Sequence, residues 1–374
     1  MRIAIIGDLH LGYKQYGLDD REQDFYDRWG QIIKDVISRQ NIDMVLQLGD
    51  IFDNHIPSAI ALYAYEKQLD KLLQYNIPYY SITGNHTLIR KQHFMSPDEL
   101  FTHLLDIQSL DDKNIIINNV FIAGVKYRSE SKKEELVDEI NKQAEAAQQH
   151  NGLKILLLHQ AVDVDLLYGA ELSEQDLPTH IFDYIFIGHL HSRIERKHGN
   201  CSIIYPGSIE RSNTTEARDE NNRGKGFVIL DTDNNSYEVI NIPCSRRFIF
   251  MNVDKETDME MVREKIRGYS HKPIVELNFK AIDVHKAHEI GHIIADDCLR
   301  LSINVANEQE SDDDEELLVD KSISSIQNML EERMSKKQAV FAYEMLEIFN
   351  KNKTASDNID SAIALSDDFF KENY

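Results

Sequence analysis

Short apolar runs that each end in a glycine or a polar residue recur along the first two-thirds of the chain. They are residues 3–6 (IAII), 44–48 (MVLQL), 79–83 (YYSIT), 154–158 (KILLL), 184–187 (YIFI) and 202–205 (SIIY). Runs as apolar as these are typical of strands that are buried on both faces of a sheet. The pattern therefore predicts six central strands.

Apolar residues at helical spacing fill the segments between these strands. One apolar face consists of Phe25, Trp29, Ile32, Ile33, Val36 and Ile37. Residues 59–75 and 132–148 show the same periodicity and are also predicted to be helices. Strands that alternate with helices predict a layered α/β core, in which the carboxyl ends of the strands converge on one edge.

The pattern changes after about residue 241. Two predicted strands, within 246–254 and 272–279, flank a helix near 256–268, and a second helix is predicted near 284–299. This order indicates a small α+β domain. Residues 307–316 (NEQESDDDEE) follow, and a like-charge run without core-forming residues is typical of a solvated linker.

Beyond this linker, apolar residues return at helical spacing in two groups. They are Ile323, Ile326, Leu330 and Met334, then Phe341, Met345 and Phe349. The stretch MSKKQ between them is predicted to be the turn of a helical pair. We therefore predict an α/β domain, a small α+β domain, an acidic linker and a helix-loop-helix segment, at residues 1–242, 243–304, 305–319 and 320–374.

Length and composition are those of a globular protein with a sizeable core. The chain has 374 residues, 42% of them hydrophobic, and no apolar run of membrane-spanning length. The opening MRIAIIGDLH is interpreted as a buried strand instead of a signal peptide, because its apolar part is short and charged residues follow at once. Three cysteines, Cys201, Cys244 and Cys298, argue against a disulfide framework and for a reducing, cytoplasmic setting.

The acidic net charge limits how the chain can contact nucleic acid. The formal charge is −23, and residues 308–374 contribute seventeen acidic and seven basic side chains to it. The remainder of the chain is still acidic. Any contact with nucleic acid therefore needs local basic loops or bound metal ions, since the surface as a whole is not basic.

Polar residues follow the ends of five predicted strands. They are Asp8 with His10, Asp50, Asn85 with His86, His159, and His189 with His191. Taken singly each is a weak signal, because Gly-Asp after a strand is usually a turn or a helix cap, and a lone His-x-His often places one ring in the core. Together they place imidazole, carboxylate and carboxamide groups on one edge of the fold.

Seven of these side chains, all except His86, are candidate metal ligands. Nitrogen and oxygen ligands without thiolates suit Mn²⁺, Fe²⁺ or Zn²⁺. The set is too large for one ion with an open position, but it suits two ions that share a bridging carboxylate. Two ions about 3.5–4 Å apart form a clamp for in-line displacement at phosphorus.

The ordered motifs G-D-x-H, G-D, G-N-H, H and G-H-x-H resemble those of the calcineurin-like metallophosphoesterase superfamily, whose fold is a layered β-sandwich flanked by helices. The resemblance assigns one metal ion to Asp8, His10 and His191. It assigns the other ion to Asn85, His159 and His189, with Asp50 as the bridge. It implies that His86 does not ligate, but contacts the scissile phosphate and acts as the acid toward the leaving oxygen.

Further motifs in the same order resemble the archaeal double-strand-break-repair nucleases of the Mre/SbcD type. They are DLHLGYKQYGLDDREQDFYD (8–27), GDIFDNHIPS (49–58), LLHQ (157–160), GHLHSR (188–193), YPGSIERSNTTE (205–216) and GKGFVIL (224–230). These motifs cover residues 1–242, and beyond them only the layout of the chain is similar.

This resemblance implies a DNA nuclease with two Mn²⁺ ions per chain, a 3′-to-5′ exonuclease on duplex ends and an endonuclease on single strands. It implies that residues 243–304 are a capping, DNA-binding domain, and that the helical pair docks on an SMC/ABC-type ATPase. A homodimer and a cytoplasmic, nucleoid-associated location are also implied. Residues 59–75 contribute to the dimer in one interpretation and only cover the sheet in the other.

Basic and aromatic residues on loops beside the predicted site are candidate DNA contacts. They are Tyr13, Lys14 and Tyr16, then Arg90 and Lys91, then Arg128. Basic side chains suit the phosphate backbone and aromatic rings suit stacking on bases. Ordinary solvated loops are the alternative.

Two positions depart from the pattern of the family. An acid commonly follows Gly-Asn-His, but here the residue is Thr87, whose hydroxyl cannot raise the basicity of an imidazole as a carboxylate does. We expect activity that is tuned and not abolished. Some archaeal relatives carry histidine where this chain has Asp53, and His55 lies two residues further on.

Two alternative functions compete with a repair nuclease. One is a phosphodiesterase or phosphatase for small substrates, which the helical pair disfavours because such an enzyme needs no docking segment. The other is a scaffold whose metal ions only organise the structure. A complete ligand set together with a non-ligating His86 disfavours the scaffold.

Overall fold

The computed structural model of the chain describes residues 1–39, 41–87, 96–105, 107–165, 169–218, 224–244, 246–254, 257–280 and 284–306. The predicted helical pair at 320–374 and the predicted linker beyond Ala306 lie outside these residues. Two candidate DNA contacts, Arg90 and Lys91, also lie outside them.

The strands are β1 (Arg2–Ile6), β2 (Met44–Gln47), β3 (Tyr79–Ser81), β4 (Gln108–Ser109), β5 (Lys113–Ile117), β6 (Val120–Gly124), β7 (Leu153–His159), β8 (Tyr184–Gly188), β9 (Ile194–His198), β10 (Cys201–Tyr205), β11 (Gly226–Asp231), β12 (Ser236–Asn241), β13 (Phe248–Val253), β14 (Ile274–Lys280) and β15 (Arg300–Ala306). The helices are α1 (Asp19–Ser38), α2 (Ala59–Gln74), α3 (Pro97–Leu104), α4 (Lys133–Gln148), α5 (Thr214–Arg218), α6 (Met259–Arg267) and α7 (Val284–Ala295). Short 3₁₀ turns lie at Gln15–Gly17, Glu130–Lys132 and Glu174–Asp176.

Two six-stranded sheets form the larger part of the fold. Their strand orders are β12-β11-β1-β2-β3-β4 and β5-β6-β7-β8-β10-β9. The first sheet contains the parallel run β1-β2-β3, and the second contains the parallel run β6-β7-β8-β10. All six strands predicted from apolar runs are present, and all lie inside a sheet and not at an edge. This position explains their continuous apolar sequence, because both faces of each strand are covered.

Alternate residues of β1 serve two different apolar cores. Ile3 and Ile5 belong to the cluster between the two sheets. Ala4 and Ile6 point the other way and belong to the cluster that α1 and α2 complete, with Trp29 fully buried in it. On the outer face of the second sheet, α4 closes a third cluster. The layers are therefore helices, sheet, sheet and helix, which is the layered α/β sandwich predicted from the sequence.

The sequence pattern does not reveal the edge strands β5, β9 and β12. Their residues are mostly exposed or partly buried, and none of them is apolar along its whole length. β6 (VFIAG) is completely buried and ends in a glycine, as several of the predicted strands do, but it is not among the six. Edge strands that mix polar and apolar residues carry too weak a periodic signal to be distinguished from loops.

One face of α2 is buried and the opposite face carries apolar residues into solvent. Leu69 and Leu72 are buried against the first sheet, whereas Ile60 and Tyr63 are 64% and 61% exposed. Ser58 begins the helix, because its hydroxyl accepts a hydrogen bond from the amide of Ala61. The buried face agrees with the interpretation that residues 59–75 cover the sheet, and their contribution to a dimer stays a prediction.

The third sheet has the order β13-β14-β15, and α6 and α7 pack against each other beside it. The prediction of a helix as far as residue 299 is wrong in its end, because α7 ends at Ala295 and the chain from Arg300 joins this sheet as β15. Residues 1–279 and 284–304 form one compact unit. Within the described ranges, no helix is long and apolar enough to cross a membrane.

Arg246 joins the third sheet to α1 through a buried ion pair. Its Nε lies 2.7 Å from Oδ2 of Asp24, and its Nη2 lies 3.1 Å from Oδ1 of the same carboxylate. Nη1 donates to the carbonyl of Lys272 at 2.5 Å. Arg246 and Asp24 are both almost completely buried, so loss of either partner would leave the other charge in the interior with fewer partners, Arg21 for Asp24 and Asp20 for Arg246.

Candidate metal centre

The structure brings all seven predicted ligands together at one edge of the two sheets. Asp8 and His10 follow β1, Asp50 follows β2, Asn85 follows β3, His159 ends β7, and His189 and His191 follow β8. Parallel strands place their carboxyl ends on the same edge, and that is why residues far apart in sequence meet here.

One cluster of possible ligands consists of Asp8, His10 and His191, whose ligand atoms lie within 4.8 Å of one another. The Nε2 atoms of His10 and His191 are 2.9 Å apart. Oδ2 of Asp8 lies 3.9 Å from Nε2 of His191. Asp8 and His10 are buried, so this group of donor atoms has little access to water as a substitute partner.

A second cluster contains Asp50, His159 and His189, and the amide oxygen of Asn85 points into it. Oδ1 of Asn85 lies 3.0 Å from Nε2 of His159 and 2.9 Å from Nδ1 of His189. Oδ2 of Asp50 lies 3.2 Å from Nε2 of His159. Four donor atoms from four strand ends therefore converge on one point.

Asp50 stands between the two clusters. The same Oδ2 atom that faces His159 lies 3.9 Å from Nε2 of His10 in the other cluster. A carboxylate oxygen in this position fits the role of a bridge between two cations. The donor set, imidazole nitrogens with carboxylate and amide oxygens, fits a pair of borderline divalent metal ions.

Three of the seven possible ligands have left-handed backbone conformations. The φ angles of His10, Asp50 and His189 are 46°, 47° and 89°. Such angles are uncommon for residues other than glycine, and they concentrate at functional sites where the surrounding structure enforces them.

Two glycines leave room for the ligands. A Cβ on Gly84 would lie 2.2 Å from Oδ1 of Asp50, and a Cβ on Gly49 would lie 2.6 Å from Nδ1 of His159. Gly49 also has a φ angle of +96°. The glycines of the Gly-Asp and Gly-Asn-His motifs are therefore required by space, and at Gly49 also by backbone conformation.

Burial and mutual attraction set the charges in the second cluster. Burial alone would raise the pKa of Asp50, but His159, His10 and His86 outweigh burial and hold this pKa well below its usual range. Burial lowers the pKa of His159, whereas Asp50 raises it, and the result is a pKa of about 9. Burial and the neighbouring His159 lower the pKa of His189 to about 3. Cation binding at this cluster therefore competes with protonation of His159, because an imidazole nitrogen ligates only when it is deprotonated.

The outer nitrogens of His159 and His191 have fixed partners that the sequence did not indicate. Nδ1 of His159 lies 2.6 Å from the carbonyl oxygen of Leu48. Nδ1 of His191 lies 2.9 Å from Oε1 of Glu216, a residue quoted in the motif YPGSIERSNTTE but not assigned a role. Burial would raise the pKa of Glu216, but hydrogen bonding to His191 and the charge of Lys225 hold it well below its usual range.

His86 lies beside both clusters and is held by Asp53. Its Nδ1 lies 2.7 Å from the carbonyl oxygen of Asp53, an acceptor that requires Nδ1 to carry the proton. Its Nε2 lies 4.0 Å from Oδ2 of Asp50, and 37% of the side chain is exposed. His10, Asp50 and His86 also satisfy the 4.8 Å ligand distance. The assignment of His86 as a group that does not ligate stays a prediction.

Asp53 is a site residue that the sequence left without a role. Its Oδ1 lies 3.5 Å from Nδ1 of His10, while its backbone carbonyl holds His86. A carboxylate thus faces the outer nitrogen of a possible ligand at the position where some relatives carry histidine. In the sequence, the difference from those relatives at position 53 was the one sign that this residue is part of the site.

Thr87 is completely buried, and its hydroxyl forms its hydrogen bond with a residue other than His86. Its hydroxyl donates to Oδ2 of Asp98, near the start of α3, at 2.6 Å. Burial raises the pKa of Asp98 to about 7. A carboxyl group is therefore present next to Gly-Asn-His-Thr, although it comes from another part of the chain.

The candidate DNA contacts on the described loops have different surroundings. The hydroxyl of Tyr13 donates to the carbonyl of Ser212 at 2.9 Å, and Lys14 pairs with Asp19. Tyr16 is 40% exposed, and the guanidinium of Arg300 lies 3.9 Å from the centre of its ring.

Arg128 forms a bidentate salt bridge with Asp112, with Nη1 3.0 Å from Oδ1 and Nη2 2.8 Å from Oδ2. Only 13% of its side chain is exposed. A DNA phosphate would have to compete with Asp112 for this guanidinium. The acidic partner lies sixteen residues earlier in the chain, and the loop sequence around Arg128 gives no sign of it.

Comparison with known proteins gives a consistent result. The calcineurin-like phosphoesterase family matches residues 1–193. The DNA double-strand break repair protein Mre11 of Methanocaldococcus jannaschii is 35% identical over 283 residues, which are 74% of this chain and 75% of that protein. The protein of the same name from Methanococcus maripaludis is 28% identical over 384 residues, 100% of both chains. The one from Thermoplasma acidophilum is 31% identical over 283 residues, 72% of this chain and 74% of that protein.

Proposed function

Since the chain belongs to the calcineurin-like phosphoesterase family and to the Mre11 proteins within it, we propose that it is a DNA nuclease of double-strand-break repair. The observation that carries this proposal is the convergence of two donor clusters around Asp50, with the partly exposed His86 beside them. An enzyme with this constellation hydrolyses phosphodiester bonds.

The two donor clusters are proposed to hold two Mn²⁺ ions, with Asp50 between them. Asp8, His10 and His191 bind one ion in this proposal, and Asn85, His159 and His189 bind the other. When bound, the two ions supply positive charge that orients the phosphate, activates a water molecule and stabilises the transition state of an in-line displacement.

His86 is proposed to give a proton to the leaving oxygen. Because Nδ1 donates to the carbonyl of Asp53, the ring is held with Nε2 on the side of Asp50. In the protonated form, Nε2 carries the proton that the leaving oxygen needs. The exposure of this ring, in contrast to buried His10 and His159, suits a group that meets substrate.

DNA is proposed to reach the centre beside the Tyr16 loop, with residues 243–304 as a capping domain over it. Arg300 of β15 covers one face of the Tyr16 ring, so two separate parts of the chain contribute to one basic and aromatic surface. Stacking and phosphate contact are the interactions that such a surface provides. The acidic net charge is offset locally by the bound ions and by these side chains.

The partners are proposed to be a second copy of the chain and an SMC/ABC-type ATPase. The exposed apolar residues Ile60 and Tyr63 on α2 support the homodimer. The helical pair at 320–374 is proposed to dock on the ATPase. A cytoplasmic, nucleoid-associated location follows from these partners and is likewise proposed. Among the described residues all three cysteines are free.

A nuclease assay with Mn²⁺ on duplex DNA labelled at the 3′ or the 5′ end tests the proposal. We expect degradation of duplex ends from the 3′ side and cleavage of single strands. His86→Ser should abolish cleavage and retain the bound metal. His198→Ser is a matched control, because His198 is an exposed histidine on the edge strand β9.

Two results would contradict the proposal. One is intact duplex and single-stranded DNA after incubation with wild-type protein and Mn²⁺, with and without the ATPase. The other is rapid turnover of a small aryl phosphodiester without any cleavage of DNA, which would favour an enzyme for small substrates. Deletion of residues 318–374 tests the ATPase separately, since unchanged co-purification would contradict that partner.

A further inference from the structure

His191 is held at its outer nitrogen by an acidic side chain. Its Nδ1 lies 2.9 Å from Oε1 of Glu216, whereas Nδ1 of His159 faces a backbone carbonyl. A carboxylate in this position fixes the orientation of a ligating imidazole and makes it a better electron donor to the metal. We propose that Glu216, held by Lys225, is a positioning residue that sets His191 as a ligand of the first metal ion. This inference rests on the metal centre of the proposed function.

The carboxylate of Glu216 is surrounded by donors that prevent its rotation. Besides His191, Oε1 accepts hydrogen bonds from the hydroxyl of Ser212 and from Nδ2 of Asn213, the latter at 3.1 Å. Oε2 accepts from Nζ of Lys225 at 2.7 Å and from the amide of Ser212 at 3.3 Å. A carboxylate bound on both oxygens presents one fixed direction to the histidine.

Lys225 fixes both members of the pair. Its buried Nζ donates to Oε2 of Glu216, to the backbone carbonyl of His191 at 2.9 Å and to the hydroxyl of Ser208 at 2.7 Å. A buried ammonium group is costly unless its hydrogen bonds are satisfied, and here three acceptors satisfy it. Two of these acceptors belong to His191 and to the residue that orients it.

The short helix α5 places Glu216 and connects it to the third sheet. Asn213 immediately precedes α5, and its Oδ1 accepts a hydrogen bond of 2.8 Å from the backbone amide of Glu216. Two residues further on, Arg218 pairs with Glu276 of β14 and lies 4.7 Å from the ring centre of Phe250 in β13. Contacts on both sides of Glu216 thus fix the helix that presents it.

The alternative is that Glu216 only neutralises the buried Lys225 and has no effect on metal binding. Titration of metal-free protein with Mn²⁺, in the absence of DNA, distinguishes the two roles. Isothermal calorimetry counts the ions, and electron paramagnetic resonance separates a coupled pair of Mn²⁺ ions from a single ion.

We expect two ions in the wild-type protein. Glu216→Ala should weaken the binding of one ion by roughly 10–100-fold, as the loss of such an outer partner typically does. At limiting Mn²⁺ its spectrum should be that of single ions. Glu216→Gln retains an oxygen acceptor and nearly the same shape, so its effect should be smaller, and this variant decides the matter if Glu216→Ala does not fold.

Glu210→Gln is the matched control for a general loss of stability. Glu210 is a buried glutamate of the same loop and pairs with Arg28 at 3.1 Å without contacting a possible ligand. This variant should have a lower melting temperature and still bind two ions. The double variant Glu216→Ala with His191→Ala should weaken the binding of the first ion no more than His191→Ala alone. Glu216 acts on the ion only through His191, so its loss has no further effect once His191 is absent.

Unchanged affinity for both ions in Glu216→Ala and Glu216→Gln would overturn the inference. An equal weakening in Glu210→Gln would overturn it as well, because the effect would then be general to the loop. Wild-type protein that binds no Mn²⁺ at all would contradict the proposed function itself and this inference with it.

Discussion

The hydroxyl of Thr87 donates a hydrogen bond of 2.6 Å to Oδ2 of Asp98, and both residues are buried. Thr87 occupies the position where the family commonly has an acid, and the carboxyl group beside it comes from α3. His86 is held by the backbone carbonyl of Asp53 and not by this pair. Through this hydrogen bond, the loop that contains Asn85 and His86 is attached to α3. The hydrogen bond does not involve the imidazole of His86.

Replacement of Thr87 by valine should destabilise the fold. The change leaves a buried carboxyl group without its donor, because Oδ1 of Asp98 has no hydrogen-bond partner among the described residues. The expected loss in the free energy of unfolding is about 1–3 kcal/mol, measured by urea denaturation. Thr102→Val is the control, since the hydroxyl of Thr102 donates only to an exposed carbonyl within α3. Equal stability of the two variants would contradict the role given to Thr87.

Asp98 should make stability depend on pH. Burial raises its pKa to about 7 in the folded protein, whereas an unfolded aspartate has a pKa of roughly 3.9. The folded state binds the proton of Asp98 more tightly than the unfolded state does, so protonation of Asp98 stabilises the fold. This stabilisation is complete below about pH 4 and is lost as the pH rises through 7.

Melting temperatures between pH 4 and pH 8 test this dependence. Asp98→Asn should melt with a weaker pH dependence in this range than the wild-type protein does. Asp70→Asn, a change at an exposed position on α2, should leave the dependence as it is. A wild-type curve that does not fall between pH 4 and pH 7 relative to Asp98→Asn would contradict the buried, proton-holding state of Asp98.

The sequence was sufficient to predict the central strands and the convergence of the candidate ligands, because each has a local signature. A strand that is buried on both faces is mostly apolar, and Asp50 and Asn85 follow glycines that the close packing requires. Edge strands such as β9 have no such signature. Glu216 and Asp53 also could not be assigned, because their roles depend on contacts with His191 and His10 that only the folded chain creates.

The carboxylate of Asp53 should support His10 as a ligand. Its Oδ1 faces Nδ1 of His10 at 3.5 Å, and Asp53→Ala removes that charge while the backbone carbonyl that holds His86 remains. We expect weaker Mn²⁺ binding by roughly tenfold, measured by calorimetry without DNA. Asp112→Ala, which removes the partner of Arg128 outside the two clusters, should bind Mn²⁺ as the wild type does. Wild-type affinity in Asp53→Ala would contradict this role.

The buried pair of Arg246 and Asp24 should be important for stability. Arg246→Met leaves Asp24 buried with Arg21 as its remaining partner, and we expect a loss of about 3 kcal/mol or more on urea denaturation. Arg267→Met, which removes a half-exposed arginine from its pair with Asp297, should have little effect. Similar stabilities of the two variants would show that the buried pair does not hold the third sheet to α1.

The exposed face of α2 should be required for the proposed dimer. Ile60→Glu introduces a charge into an apolar surface that a second copy would cover, and we expect sedimentation as a monomer. Leu104→Glu is the control, because Leu104 on α3 is equally exposed, at 64%. A wild-type protein that sediments as a monomer at all concentrations, or dimers in both variants, would contradict the interface.

The left-handed backbone at His10, Asp50 and His189 means that the residues needed as ligands are not those that best fit the local backbone conformation. Asparagine and glycine adopt such angles more readily than histidine does, so a variant such as His189→Gly loses a donor atom and also relieves the backbone. Part of the gain from this relief is offset, because glycine gives the unfolded chain more conformational freedom. His189→Gly should therefore yield an inactive protein whose fold is retained, and this is a suitable form for capturing uncut DNA in a complex.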